Sequence, residues 1–131
     1  MYCHGNKKQK EIGFKLGQKV NIRYGIEIMI GAKIGYNFTI DHSSGIVIGA
    51  SAVIGKNFSI RQNTTIGGCN VNIGNNVFIG PNSCIVSCTP NQPLVIGDNV
   101  TVGAISFINK DIPDNCTVYT EKTNKIIINL K

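Results

Sequence analysis

The chain has 131 residues, of which 42% are hydrophobic and 15% charged, and its formal net charge is +6. This size suits one domain with a sizeable core, and the composition argues against intrinsic disorder. No apolar run reaches the roughly 20 residues of a membrane span. The polar, basic first ten residues do not have the apolar centre of a secretory signal. We therefore expect a cytoplasmic protein.

Cysteine usage and charge exclude some kinds of site. The five cysteines are an odd number with no C-x-x-C pair, which argues against a disulfide scaffold or a zinc site. The positive charge fits either simple solubility or an anionic partner. Nucleic acid is a weak candidate for that partner, because the basic residues are scattered and no helix-turn-helix or aromatic-rich motif accompanies them.

The first 17 residues carry four lysines and little periodicity. They are predicted to form an irregular N-terminal lead-in, residues 1–17, before the regular part of the chain.

From residue 22 onwards a branched apolar residue recurs about every six residues, often with glycine after it. The repeat positions are Ile22, Ile28, Ile34, Ile40, Ile48, Ile54, Ile60, Ile66, Ile73, Ile79, Ile85, Ile96, Val102 and Ile108. A helix cannot keep a six-residue period on one face, because successive positions rotate by about 120°. A strand can, because six is a multiple of two. The pattern predicts short strands that end in glycine-rich turns, with the repeat residues facing inward.

Hexapeptide repeats are typical of β-helical solenoids. Over about residues 20–118 the pattern resembles the hexapeptide-repeat acyltransferases. The resemblance implies a mainly β fold, a single-stranded left-handed parallel β-helix with three hexapeptides in each triangular coil. It also implies a homotrimer. We expect the β-helix domain to span residues 18–118 and a C-terminal tail to span 119–131, with residues 126–128 forming a closing strand.

With three repeats to a coil, the repeat positions sort into three faces. Face one holds residues 22, 40, 60, 79 and 102, face two holds 28, 48, 66, 85 and 108, and face three holds 34, 54, 73 and 96. The longer step from 40 to 48 then lies between faces one and two. The steps from 66 to 73 and from 85 to 96 lie between faces two and three, and the second carries a loop with two prolines. Pro113 is expected to end the coils.

One string within the repeats is more specific than the rest. Residues 41–49, D-H-S-S-G-I-V-I-G, resemble the signature of serine acetyltransferases, together with residues 25–28 and 59–68. The resemblance implies an O-acetyltransferase that uses acetyl-CoA. It assigns His42 as the general base and Glu27 as the carboxylate that orients it, and places Asp41 and Gln62 at the acceptor. Imidazoles in general can accept a proton near neutral pH, which suits the role of His42.

The sequence departs from that family just after its double glycine. Serine acetyltransferases carry an R-H-P stretch there, which holds the acceptor's carboxylate, whereas this chain has Cys69 and Asn70. A carboxylate is best held by a guanidinium. We therefore expect a neutral acceptor, a sugar hydroxyl in polysaccharide biosynthesis, with Asn70 among its contacts. The alternative is serine O-acetylation in cysteine biosynthesis.

The same resemblance implies how acetyl-CoA is held. Backbone amides at Gly67, Gly68, Gly103 and Ala104 match the family's cofactor positions, and Lys110 is assigned to the nucleotide phosphates. A backbone N–H near the double glycine is our candidate donor to the thioester oxyanion. No metal is expected. A γ-type carbonic anhydrase is rejected because it needs three histidines and the chain has only two. A trimeric scaffold without catalysis stays open.

Overall fold

The computed structural model describes residues 6–121, and in that range it contains one helix followed by short parallel strands. The helix α1 spans Lys7–Tyr24. The strands are β1 (Ile26–Ile28), β2 (Lys33–Ile34), β3 (Thr39–Asp41), β4 (Ile46–Ile48), β5 (Ala52–Ile54), β6 (Ser59–Arg61), β7 (Thr65–Gly68), β8 (Val71–Ile73), β9 (Phe78–Ile79), β10 (Cys84–Ser87), β11 (Leu94–Ile96), β12 (Thr101–Val102), β13 (Phe107–Ile108) and β14 (Thr117–Val118).

The strands form three parallel sheets that confirm the predicted faces. Face one is β3, β6, β9, β12 and β14; face two is β1, β4, β7, β10 and β13; face three is β2, β5, β8 and β11. Repeat residues stack in register, as in the pairing of Ile48 with Ile66 and of Ile66 with Ile85. Strands pair with the strand three places along the chain, except that β12 pairs with β14 because the intervening face-three position is the single bridge of Ile112 to Ile96; this is the connectivity of a β-helix. The predicted mainly β fold is therefore confirmed, with about five coils.

Helix α1 replaces the irregular lead-in predicted over residues 1–17 and extends beyond it. It begins with a capping box, in which Asn6 accepts from the N–H of Gln9 at 3.0 Å and the Gln9 side chain accepts from the N–H of Asn6 at 2.8 Å. It ends at Gly25, in the left-handed conformation with φ 65°. Ile22 lies in this helix and is exposed, so its assignment to face one was wrong.

The coils also continue past Pro113, contrary to prediction. Ile112 bridges to Ile96, and β14 pairs with β12, so that Val118 is the last stacked residue of face one among residues 6–121. Pro113 falls in a turn, where the missing N–H interrupts no ladder. The predicted closing strand at residues 126–128 lies outside the described residues. Between residues 6 and 121 no helix is both long and apolar enough to cross a membrane.

The core is a column of stacked apolar side chains inside the triangle. Ile60, Ile66 and Ile79 are completely buried, and so is Phe58, whose ring stacks on Phe38 with centroids 5.7 Å apart. At the corner between faces three and one, each coil places an asparagine in the left-handed region. Their side chains form a hydrogen-bonded ladder through residues Asn37, Asn57, Asn76, Asn99 and Asn115. Asparagine tolerates positive φ better than most residues, which explains its use at this corner.

Candidate active site

His42 lies on a bulge at the corner between faces one and two. Asp41 is in register with Arg61, and four residues later Gly45 stacks on Asn63, whose N–H is bonded to the carbonyl of Ser44 at 2.8 Å. Residues 42–44 therefore lie opposite Gln62 alone, which is where the two extra residues of the 40-to-48 step are accommodated. His42 is exposed and has φ 60°. The bulge lifts this imidazole out of the stacked corner, where it is accessible to a reacting molecule.

Glu27 lies within a strand of face two, two residues after the glycine stacked below the His42 corner. It is the middle residue of β1 on face two, exposed, and paired with Val47 of the coil above. The residue stacked below the His42 corner is Gly25, whose carbonyl accepts from the N–H groups of Gly45 and Ile46. Within residues 6–121 no hydrogen bond or ion pair joins the side chains of Glu27 and His42. The orienting role of Glu27 stays a prediction.

Asp41 forms an ion pair that sequence analysis did not identify. Its Oδ2 lies 3.2 Å from Nη2 of Arg61, one coil above, and both side chains are partly exposed. The guanidinium also lies over the ring of Phe78 in the next coil, with Cζ 5.7 Å from the ring centroid. The three side chains make a stack on the outside of face one, immediately before His42. Residues 41 and 61 each follow a repeat residue of face one, Ile40 and Ile60. The strand register shows that they stack on each other across one coil.

Gln62 presents a polar atom without a partner beside the bulge. Its Oε1 is buried and, among the described residues, accepts no hydrogen bond. Its backbone carbonyl is satisfied by the N–H of Asn82 at 3.0 Å and by the hydroxyl of Thr64 at 3.3 Å. A buried amide oxygen without a donor is unfavourable unless something else supplies one. Gln62 lies opposite His42, and its role at the acceptor stays a prediction.

The double glycine lies at the opposite edge of face two. Gly67 and Gly68 end β7, a strand of four residues, so at about 3.3 Å per residue they lie about 13 Å from the His42 corner. The two groups are therefore not neighbours within one chain. Gly68 has φ 94° and packs so closely on Ser87 that a Cβ would overlap the carbonyl oxygen of that residue.

Asn70, predicted to contact the acceptor, supports a loop. Its Nδ2 donates to the carbonyl of Pro90 at 3.1 Å, and its own carbonyl accepts from the N–H of Leu94 at 3.0 Å. The two contacts tie Asn70 to the proline-containing loop between β10 and β11 and to the first residue of β11. Cys69 and Cys88, next to these residues, are free thiols and both are exposed.

The remaining predicted cofactor residues lie in later coils, nearer the C-terminal end of the β-helix. Gly103 and Ala104 follow β12 and stand three coils above the level of Asp41, which is about 15 Å at 4.8 Å per coil. The N–H of Gly103 already donates to the carbonyl of Val118 at 2.8 Å, so it is not available to a cofactor. Lys110 is exposed after β13, in the fifth coil. Among residues 6–121 no cluster of three His, Cys, Asp or Glu side chains is placed to hold a metal ion.

Comparison with known proteins identifies relatives for the chain. No family model matches it. It is 37% identical over 101 residues to a serine acetyltransferase of Synechococcus elongatus, covering 72% of this chain and 39% of that protein. It is 32% identical over 118 residues to a serine acetyltransferase of Helicobacter pylori, covering 85% of this chain and 66% of that protein. The chain thus spans about two thirds or less of the length of these relatives.

Solved structures give the same result. Serine acetyltransferase isoform 3 of Entamoeba histolytica, in complex with cysteine, superposes with a TM-score of 0.79 at 30% identity, over 92% of this chain and 44% of that one. A serine acetyltransferase in complex with CoA superposes with a TM-score of 0.77 at 29% identity, over 88% of this chain and 47% of that one. These neighbours have the left-handed β-helical fold, as predicted. The chain therefore belongs to the hexapeptide-repeat acyltransferases and is homologous to the serine acetyltransferases.

Proposed function

We propose that this protein transfers an acetyl group from acetyl-CoA to the hydroxyl of L-serine. The observation that carries the proposal is the corner at residues 41–45, where the family's D-H string forms an exposed bulge that presents His42. The relatives support acetyl-CoA as the donor and serine as the acceptor. They do not support the expected role in polysaccharide biosynthesis.

In this mechanism His42 is the general base. Its unprotonated ring nitrogen accepts the proton of the acceptor hydroxyl while that oxygen attacks the thioester carbonyl carbon. The tetrahedral intermediate then expels the thiolate of CoA, and the C–S bond breaks as the new ester forms. The proton held by His42 passes to the departing sulfur, which returns the base to its starting state. A backbone N–H near Gly67 and Gly68 is the proposed donor to the oxyanion.

The geometry of face two supports a site shared between subunits. The base and the proposed oxyanion donor lie at opposite edges of face two and one coil apart, separated by at least the length of β7, about 13 Å. The base must hydrogen-bond the acceptor hydroxyl at about 3 Å, that hydroxyl must contact the thioester carbonyl carbon, and the oxyanion donor must lie about 3 Å from the carbonyl oxygen. These contacts together span less than the separation within one chain. In the proposed homotrimer, the His42 corner of one subunit faces the Gly67–Gly68 corner of the next. Exposed apolar residues on face three, Val53 and Val95, are consistent with contacts between subunits.

A sugar hydroxyl is the second candidate acceptor. The observation that favours it is the replacement of the family's R-H-P stretch by Cys69 and Asn70, which removes two cations from the acceptor site. The sugar candidate has weaker support because the side-chain amide of Asn70 is already bonded to the carbonyl of Pro90. Asn70 also lies beyond the edge of face two that is far from His42. The ion pair of Asp41 with Arg61 also leaves a guanidinium near the proposed base.

The test is an acceptor panel with the full chain. Release of CoA from acetyl-CoA is followed with L-serine, D-glucose, D-galactose and N-acetylglucosamine, and the reaction without acceptor measures thioester hydrolysis. We expect turnover with L-serine well above the other reactions, with O-acetylserine identified by mass. Turnover with a sugar but not with serine would establish the second candidate. No turnover above hydrolysis in a folded protein that binds CoA would contradict both.

A further inference from the structure

We propose that Arg61 is a specificity-determining residue that binds the carboxylate of the amino-acid acceptor, with Asp41 binding its ammonium group. The inference rests on the proposed function, since it concerns how serine is held for transfer. It assigns a role to a residue outside the motif that indicated the activity.

The contacts of Arg61 leave its hydrogen-bonding capacity unused. A guanidinium has five N–H donors in a rigid, planar arrangement. Within the described residues, Arg61 makes one ion pair, at 3.2 Å to Asp41, and no hydrogen bond that meets geometric criteria. Its plane is supported by the ring of Phe78, which restricts the side chain from one side. The guanidinium is therefore held in place with donors available at its edge.

The position of the pair matches the shape of serine. Asp41 directly precedes His42, so their Cα atoms are about 3.8 Å apart. Arg61 is stacked on Asp41 at the spacing of neighbouring strands, about 4.8 Å. Serine carries its ammonium and carboxylate on one carbon and its hydroxyl one carbon away. A molecule that places its two charged groups on Asp41 and Arg61 can therefore direct its hydroxyl towards His42.

The charges of the pair are complementary to a zwitterion. An ammonium favours the carboxylate of Asp41 and a carboxylate favours the guanidinium of Arg61, so an amino acid exchanges one ion pair for two. The existing pair is partly exposed, with 34% of the Arg61 side chain and 44% of the Asp41 side chain accessible. Pairs of this kind contribute little to stability, so separating them is inexpensive. A sugar has no charge with which to replace the lost contact.

No other cation of the first two coils is placed for this role. Between residues 26 and 61 the remaining basic side chains are Lys33 and Lys56. Lys33 lies in β2 on face three, and Lys56 lies in the turn between faces three and one. The corner that carries His42 lies at the other edge of face one. Arg61 is thus the cation of these coils that an acceptor at His42 can reach.

The test compares two acceptors in steady-state kinetics. L-Serinamide keeps the ammonium and the hydroxyl of L-serine but has no carboxylate. For Arg61→Gln we expect KM for L-serine to rise about 10- to 100-fold, the loss expected for a charge-assisted hydrogen-bonding partner. The KM for L-serinamide should change less than about threefold, because the missing carboxylate never contacts residue 61. Arg61→Lys should give an intermediate KM for serine, because the charge remains without the planar fork.

Two further variants separate this role from a structural one. Asp41→Asn should raise KM for both acceptors, because both carry the ammonium. Lys56→Gln removes one positive charge from the exposed turn between faces three and one, at the far edge of face one from His42, and should change neither KM. An equal loss with serine and serinamide in Arg61→Gln, or an unchanged KM for serine, would overturn the inference while leaving serine acetylation intact. A wild-type protein that does not acetylate serine would instead refute the proposed function, and the inference with it.

Discussion

The double glycine offers a direct test of the packing between coils three and four. Gly68 has φ 94°, outside the region that side chains with a Cβ readily adopt. A Cβ at this position would overlap the carbonyl oxygen of Ser87 and lie 2.8 Å from its nitrogen. Gly67 differs from it, since the nearest atom to a Cβ there is Cγ2 of Thr65 at 3.7 Å. The two adjacent glycines therefore form a matched pair for substitution.

We expect Gly68→Ala to lower the free energy of unfolding by about 2–4 kcal/mol. Roughly 1–2 kcal/mol of this comes from the unfavourable φ, and the rest from displacing β7 from β10. The overlap is with backbone atoms, and Ser87 is held in turn by the N–H of Cys69 at 3.3 Å. Gly67→Ala should stay within about 1 kcal/mol of the wild type, because its Cβ meets only ordinary contacts.

The assay is urea unfolding followed by circular dichroism, at one fixed protein concentration because assembly adds to apparent stability. We expect the midpoint of Gly68→Ala to fall with little change in the slope, and that of Gly67→Ala to remain near the wild type. If the two variants unfold within about 0.5 kcal/mol of each other, the close approach of Gly68 to Ser87 is not what requires glycine at this position.

Three further substitutions test the core, the asparagine ladder and the unpaired amide. Phe58→Ala should lower the free energy of unfolding by about 3–5 kcal/mol, whereas Phe107→Ala, at a side chain 59% exposed, should stay within about 1 kcal/mol; similar losses in thermal melts would contradict the packing. Asn57→Ala should destabilise more than Asn57→Gly, by about 1 kcal/mol in urea, because both lose the ladder but only alanine is strained at φ 55°. Gln62→Met should unfold within about 0.5 kcal/mol of the wild type and raise KM for serine, since it removes an acceptor atom with no internal partner; an unchanged KM would exclude an acceptor contact.

The fold was largely predictable because one physical rule repeats through the chain. A six-residue spacing of isoleucines suits strands and no helix, and the sizes of the steps placed each insertion at the correct corner. Helix α1 was missed because its apolar residues define no buried stripe; of its residues, Gly13 is the one that is buried. Its capping box at Asn6 and Gln9 was the available signal.

The site was only partly predictable because it depends on stacking between coils. The motif located His42 and Asp41, since they are adjacent in sequence. Arg61 is 20 residues from Asp41 and becomes its neighbour only through the register of β3 and β6. The separation of Gly67 and Gly68 from His42 likewise follows from the length of β7, which no sequence motif describes. The resemblance identified residues with roles in a family, and the geometry shows which of them one chain can bring together.

In the proposed mechanism His42 removes the proton from the acceptor hydroxyl. Because His42 has φ 60°, His42→Asn is the appropriate variant: asparagine tolerates this conformation and cannot act as the base. With L-serine and acetyl-CoA at saturating concentrations, we predict that kcat falls by about 100- to 10,000-fold while the midpoint of thermal unfolding is retained. A folded His42→Asn variant that forms O-acetylserine at the wild-type rate would contradict the role of His42 as the general base.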